Sequence, residues 1–566
     1  MRRLRISGPI AAVALVYLAT LAILPAGGLW IVDNGSKRVQ VQALLASGFR
    51  DFSLPLPGRE LDPAFEFNPM PKLFSEVREG RLYSQYPPAF AVLSALPFSM
   101  FGDAGLCLLP LLASLALLGF LGWIADLAEV SPRVRALSIL VAGLATPLWF
   151  YAVVFWEHAV AAGLCLGSVA LAFEFLIRGS RRLLWLSGLA IALASGLREP
   201  LLLLAAALGI LVLSTTPRAR LQAGLVFGGG IAAGLFPSLI LQWFALGEPL
   251  GIHVSGNFAA NAADGSALGH HLRTRLAAFY NLFLAAGGSR TLSAALNLPF
   301  AVLLIAQPRP SARAYRACAL GVAVWALVGL VVSAFGYATA HSPIDRMLAG
   351  NGFFAAAPLL AVGLVRRRER DATTPGDRVI GWLLRLALAY ALLYLAFAPL
   401  ISTAGIHWGN RFLLDLYPLL ALPCAAGLLE LWRGSAARGL AVLLLLLVAG
   451  SVVLQVFSID LLRRKLVFGE RFEQAVREAP EAVVVTDVWW VPLTLARELL
   501  RKPIFYVSTD EQADDLLGRL ARHGSREFLF VTADAGRSPN PRARVIEDEG
   551  LGFFSLRLEH HALPGR

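Results

Sequence analysis

The chain has 566 residues, of which 57% are hydrophobic and 16% charged, a composition outside the globular range that points to a polytopic membrane protein. Its net charge of +12 could suit nucleic acid, but the basic residues sit in short segments between apolar runs, where they set topology; no nucleic-acid partner is expected. Four cysteines, Cys107, Cys165, Cys318 and Cys424, all lie inside apolar runs at unrelated spacings, which indicates neither a disulfide framework nor a thiolate metal cluster.

The first apolar run, about 9–30, follows "MRRLR" and has no small-residue cleavage site, so it reads as a retained helix rather than a signal peptide. A first outside loop, 31–103, comes next. It opens with Asp33 and continues as "SKRVQVQALLASG", which places Val41, Leu44 and Leu45 on one helical face and Lys37 and Gln40 on another. That pattern predicts a helix lying flat at the membrane surface. Asp33 itself has a plainer account as the cap of this helix. Within the loop, "YPPAFAVLSALPFSMFG" at 86–102 is too short for a full crossing and predicts a re-entrant or interfacial helix.

Further apolar runs at about 104–125, 134–156, 159–177, 183–197, 200–214, 222–245, 291–306, 317–337, 352–365, 381–400, 412–431 and 439–458 bring the candidate spans to thirteen. Arginine-rich loops such as "SPRVR", "RGSRR" and "RRRERDATTPGDR" fall on one side, which puts the N-terminus inside the cell. The texture changes after residue 458: 32 of the 88 charged residues lie from Arg463 onward. Residues 459–566 therefore read as a small extracytoplasmic α/β domain, attached to a transmembrane domain over 1–458. Its expected strands are "EAVVVTD", "PIFYV", "EFLFVTA" and "GFFSLRL", with helices at "LTLARELL" and "EQADDLLGRLARHG".

An ionisable group inside or beside a bilayer is costly and marks function by default. On the outside face, after Asp33, come Glu157 and His158 in "FWEHAV". A carboxylate beside an imidazole can bind a metal, share a proton or orient a ligand; the plainer account is an interfacial turn. Arg198 sits in "SGLREPLLL", at the tip of a hairpin of two short helices, and would either meet an anion or pair with Glu199. His407 and Arg411 follow in "GIHWGNRFLLDLYP", where Asp415 is the local partner expected for Arg411. Other polar groups on this face are His253, Asp264, His270, His271, His341, Asp345 and Arg346. A carboxylate, two arginines and an interfacial helix at the membrane surface suit transfer of a sugar from a lipid phosphate: the arginines hold the phosphate and the carboxylate takes a proton from the acceptor hydroxyl.

The order of these motifs resembles the GT-C glycosyltransferases, and within them the aminoarabinose lipid A transferase and protein O-mannosyltransferase family. The likeness runs over most of residues 10–430: an acid opening the first outside loop, "QALLASG", "YPP" leading into a short helix that ends "FG", an acid at a later outward exit, a basic hairpin tip, and "RFLLDLYP". It implies an all-α GT-C-like membrane domain of about 13 transmembrane helices carrying the small α/β domain. It further implies a glycosyltransferase of the bacterial inner membrane that uses a polyprenyl-phosphate-sugar donor and an envelope lipid, glycan or protein acceptor. By position, Asp33 matches the acid of the first loop, the catalytic base or acceptor-positioning group, and Glu157 the acid at the second outside turn, while Arg198 and Arg411 match the donor-phosphate contacts; Lys37, His158 and His407 are candidate substrate contacts beside them. The sequence departs from the family in having Asn34 after Asp33 where Glu is frequent, and Gln85 or Tyr86 in place of an acid. No metal site is therefore assigned, although the chemistry leaves room for a divalent ion. The rival reading is a lipid or sugar transporter or flippase.

Overall fold

The computed structural model describes residues 8–71, 74–255, 268–287, 289–367, 374–398, 407–433, 438–525, 527–533, 544–546 and 556–562. It is mostly helical. Six of the described helices are long and apolar enough to cross a membrane, and four shorter apolar helices accompany them, so the chain is a multi-pass membrane protein. By its contacts it forms two compact units. The first takes residues 1–22, 107–238 and 257–461; the second takes 23–106, 239–256 and 462–566.

In the first unit the antiparallel helices Glu157–Arg178 and Arg181–Leu197 pack closely. Ser168 and Ser187 join them, each hydroxyl donating to the other's carbonyl at 2.8 and 2.9 Å. Such reciprocal bonds hold helices together where lipid and side chain are equally apolar. Two expected spans are not single α-helices. The run 134–156 divides into Pro132–Leu144 and Leu148–Ala152, broken at the Thr146-Pro147 step. The run 352–365 is one short turn followed by the 3₁₀ segment Pro358–Leu364. Proline restricts the residue before it and removes a backbone donor, which accounts for both breaks.

The second unit is built around a five-stranded sheet, β3 Val484–Thr486, β4 Ile504–Tyr506, β5 Glu527–Thr532, β6 Arg544–Ile546 and β7 Leu556–Ala562, in the order β4-β3-β5-β7-β6. The first three strands are parallel and the last two pairings antiparallel. Alternation along the strands sends Val484, Leu529 and Val531 to one face and Val483, Val485 and Phe528 to the other. Each face builds a core with the first loop. Val39, Leu54, Met70 and Leu82 join the first face, and Leu61 and Phe67 join the second, together with Leu516 and Leu520 of the helix Asp510–Arg522. The first loop also contributes a hairpin, β1 Ser75–Arg78 and β2 Arg81–Ser84. It turns on Glu79 and Gly80, both at positive φ as a tight two-residue hairpin turn requires.

The helix Val32–Ala46 exists, and all but a few of its residues are buried, Lys37, Arg38 and Gln40 included. Two expectations change here. "LTLARELL" gives only the short helix Val491–Thr494 followed by turns, and β6 was not foreseen. The segment 86–102 forms the helix Pro88–Phe101, 14 residues long and so about 21 Å, less than a hydrocarbon core.

Candidate functional site

The first unit draws five of the expected residues into one buried neighbourhood. Glu157 opens the helix Glu157–Arg178, where the partial positive charge of the helix N-terminus favours a carboxylate. Its Oε1 lies 3.5 Å from Nδ1 of His158. The His158 ring packs 4.8 Å from Trp156 and stacks on Tyr151 at 5.9 Å. Arg198, at the junction between the helix Arg181–Leu197 and the 3₁₀ turn Glu199–Leu201, donates from Nη1 to the carbonyl of Arg411 at 3.4 Å. Both arginine side chains are buried. The Arg411 guanidinium lies 4.5 Å over the Trp156 ring and 4.7 Å over Phe412. A guanidinium held on ring faces presents its N–H groups along its edge, the geometry that matches a phosphate or carboxylate.

The acidic neighbours differ from those the sequence suggested. Asp415 acts on Arg198 and meets the thiol of Cys165, while Glu157 is a weaker partner of the same arginine. The plainer account of Asp415 as the local partner of Arg411 is thereby replaced by a link across the fold. Tyr390 and Tyr394 also face Arg198. They were missed, although their spacing of four residues on one helix puts both phenols on one face and could have drawn notice.

Loop 407–411 shapes the site. Gly409 sits at φ 58°, where a Cβ would come within 2.2 Å of Pro147. Its N–H donates to the carbonyl of Gly350. Asn410 receives the N–H of Phe412 at 3.1 Å and so caps the turn that carries Arg411. Tyr151 donates to the carbonyl of Trp408 at 3.0 Å, and Trp408 donates to Gln455 at 3.1 Å. His407 is fully enclosed, with Nδ1 2.6 Å from the carbonyl of Gly409. Burial first, and the Arg411 charge second, push its pKa down to about 3. It is therefore neutral at working pH, with Nδ1 the donor and Nε2 an acceptor that has no hydrogen-bond partner among the described residues.

The other two expected residues belong to the second unit. Asp33 lies in the first turn of the helix Val32–Ala46, and Lys37 is one turn on along the same face. Asp33 is not the cap: Ile31 holds that position, and Asn34 receives the Ile31 N–H at 3.1 Å. The Lys37 ammonium lies 4.4 Å over the Tyr86 ring. Next to it, Arg38 donates to Asp103 at 2.8 Å, and Asp103 in turn receives Arg497 at 2.7 Å. Arg497 also meets Glu473, with its backbone N–H 2.8 Å from that carboxylate. Breaking one member of such a buried set costs about 3–5 kcal/mol. Among the described residues, no group of three or more His, Cys, Asp or Glu side chains could hold a metal ion. Asp264 lies outside the described residues, as does the side chain of His270.

No family model matches the chain, and no curated protein matches it. Several solved structures resemble it, among them the following. ArnT from Cupriavidus metallidurans bound to undecaprenyl phosphate aligns over 97% of each chain at 12% identity and a TM-score of 0.48. The same protein in the apo state gives 16% identity and 0.40 over the same coverage. The Archaeoglobus fulgidus oligosaccharyltransferase in its apo form gives 11% and 0.45, over 92% of this chain and 69% of that one. Likeness at this level leaves the family unassigned, and the functional reading rests on the chain's own residues.

Proposed function

We propose that the protein is a membrane glycosyltransferase that moves a sugar from a polyprenyl-phosphate donor to a hydroxyl of an envelope lipid, glycan or protein on the outer face of the bacterial inner membrane. The observation that carries this reading is that the buried Arg198 guanidinium bonds to the backbone carbonyl of Arg411, whose own buried guanidinium rests on Trp156 and Phe412, inside a helical unit apolar enough to lie in a bilayer. Two guanidinium groups in such a place serve an anion that arrives from the lipid phase, and a lipid-borne phosphate is that anion. Because the leaving group is already a phosphate, catalysis asks for stabilisation of its charge and for one proton acceptor. Arg198 and Arg411 supply the first. Asp33 is proposed for the second on its place in the sequence motif, with Lys37 orienting substrate beside it. Glu157 and His158 orient the sugar, and the neutral Nε2 of His407 accepts from a hydroxyl.

The test is transfer of label from radiolabelled polyprenyl-phosphate sugars to envelope acceptors by the purified full chain, compared with Asp33→Asn, Arg198→Ala and Arg411→Ala. Transfer by the native protein and its loss in all three variants is the expected result. Label transfer untouched by Asp33→Asn removes that residue from the mechanism. Uptake into proteoliposomes with no transfer from any donor replaces the enzyme reading with a transporter.

A further inference from the structure

In the first unit three arginines from three separate segments come together around a glycine. Arg309 lies just past the helix Arg290–Ala306, Arg366 just past the 3₁₀ segment Pro358–Leu364, and Arg385 inside the helix Pro375–Phe397. The Arg366 N–H donates to the carbonyl of Pro308 at 3.1 Å, and Gln307 donates to the carbonyl of Leu384 at 2.9 Å, so the three segments are tied to one another. We infer that this cluster binds the phosphate headgroup of an anionic membrane lipid.

Arg385 stands about 15 Å into its helix at 1.5 Å per residue, and a long side chain on a helix points back toward the N-terminus. Accordingly its Nε donates to the carbonyl of Gly381, one turn earlier, at 3.1 Å. A Cβ on Gly381 would lie 3.3 Å from Nη1 of Arg366 and 3.8 Å from Nη2 of Arg385. Both guanidinium groups therefore border one small space, which stays open because residue 381 has no side chain. Glycine inside a helix costs about 0.5–1 kcal/mol against alanine; here it leaves an approach to two forks of N–H donors. Arg309 is near enough for its charge to act on both of the other arginines.

Asp377 answers part of this charge. One of its oxygens receives Nη2 of Arg366 at 3.3 Å, and the other receives the hydroxyl of Thr374 at 2.7 Å. Residues 368–373, outside the described residues, hold two arginines, Arg368 and Arg370, and two acids, Glu369 and Asp371, and so add no net charge to the segment. Positive charge is in excess among these groups. Like charges held this close repel, and around the Arg366 side chain, 14% exposed, there is little water to screen them. A phosphate placed over Gly381 relieves that repulsion, and its oxygens match guanidinium edges in pairs. The surroundings favour a lipid over free phosphate. Val302 and Ile305, on the helix that precedes Arg309, and Leu392, two turns from Arg385 on the same face, are exposed apolar side chains leading away from the cluster. Acyl chains lie along them while the headgroup meets the arginines, as in the basic pockets between membrane helices that hold anionic lipids.

The cluster shares no residue with the transferase site, and its test needs no turnover, so either reading can fail without the other. The purified full chain, stripped of lipid in detergent, is titrated with phosphatidylglycerol, cardiolipin, phosphatidylcholine and inorganic phosphate. Native mass spectrometry counts bound lipid, and Tm is followed alongside. The two anionic lipids bind and raise the Tm, and phosphatidylcholine binds about tenfold more weakly. The double variant Arg309→Gln/Arg385→Gln weakens anionic-lipid binding about tenfold, as loss of charge-assisted bonds does. Gly381→Leu does the same while keeping every charge, because it fills the space between them. Both arginines of the double variant are exposed, and unchanged circular dichroism and lipid-free Tm show that it folds. Arg181→Gln/Arg182→Gln, a pair of exposed arginines at the start of another apolar helix, leaves binding as it was. The assignment is overturned if phosphatidylcholine binds equally well, if inorganic phosphate at the same concentration raises the Tm as much as lipid, if binding survives the double variant, or if the control pair abolishes it too.

Discussion

Arg411 combines two properties that a lysine cannot reproduce, a planar cation resting on Trp156 and Phe412 and a fork of donors at its edge. Under the transferase reading, Arg411→Ala lowers the kcat/KM of label transfer by about 100-fold or more, as loss of a preorganised charge donor does elsewhere. Arg411→Lys recovers little of it; full rescue by lysine would mean that charge alone is needed there. His407 supplies a pH dependence of the opposite origin, one of stability. Its pKa is about 3 in the fold against 6.5 when exposed, so the unfolded chain binds more protons throughout that interval. The stability attached to neutral His407 is therefore complete above about pH 6.5 and lost as pH falls toward 3. Replacing it with glutamine flattens this part of the Tm-against-pH curve, and an unaltered acid limb would show that the ring is not kept neutral. Glu157, His158, Arg198, His407 and Arg411 stood out in the sequence as candidates because ionisable groups at the ends of apolar runs are few and costly. The surroundings of Asp415 did not: sequence offers Arg411, four positions away, whereas the positive charge that acts on its buried carboxylate is that of Arg198, from a distant hairpin.

At the scale of elements, the candidate site depends on the short segment between Trp408 and Leu413 more than on any long helix. Gly409 allows the positive φ that turns the chain, and it leaves room for Pro147. Gly409→Ala therefore combines backbone strain of about 1–3 kcal/mol with a clash that the neighbouring ring cannot avoid. Its expected outcome is a lower Tm together with weaker transfer, since Arg411 is carried by the same turn; a variant with native Tm and activity would place the constraint elsewhere. Elements of this kind escape sequence reading because they carry no period. The long apolar helices, by contrast, follow directly from run length, as Glu157–Arg178 and Pro375–Phe397 illustrate. "LTLARELL" misleads for a third reason. Its residues are good helix formers, yet Leu493, Leu495, Ala496 and Leu499 are all buried in the core of the second unit, and packing there overrides local propensity.

For the whole molecule, the fact with the widest consequence is that the first loop and the last hundred residues share their hydrophobic cores. A change in charge density marked residue 459 as a boundary, and charge density along a chain does not report which segments pack together. Hydropathy cannot reveal that Leu54, Met70 and Leu82 complete one core with Val484 and Leu529, or that Leu61 and Phe67 complete the other with Phe505 and Leu520. The 50–84 segment has one two-stranded hairpin of its own, and an isolated hairpin is at best marginally stable in water. A chain ending at Pro480 removes β3 to β7 and with them most of the apolar partners of that segment. Limited proteolysis of the truncated protein should then cut within residues 50–84 at protease levels that leave the full-length chain intact. Bonds internal to the first unit, such as the Ser168–Ser187 pair, lose no partner in the truncation, so its membrane helices should remain protected. A first loop that stays resistant without the sheet would show that it folds alone, and that the shared cores are a contact of convenience and not the source of its order.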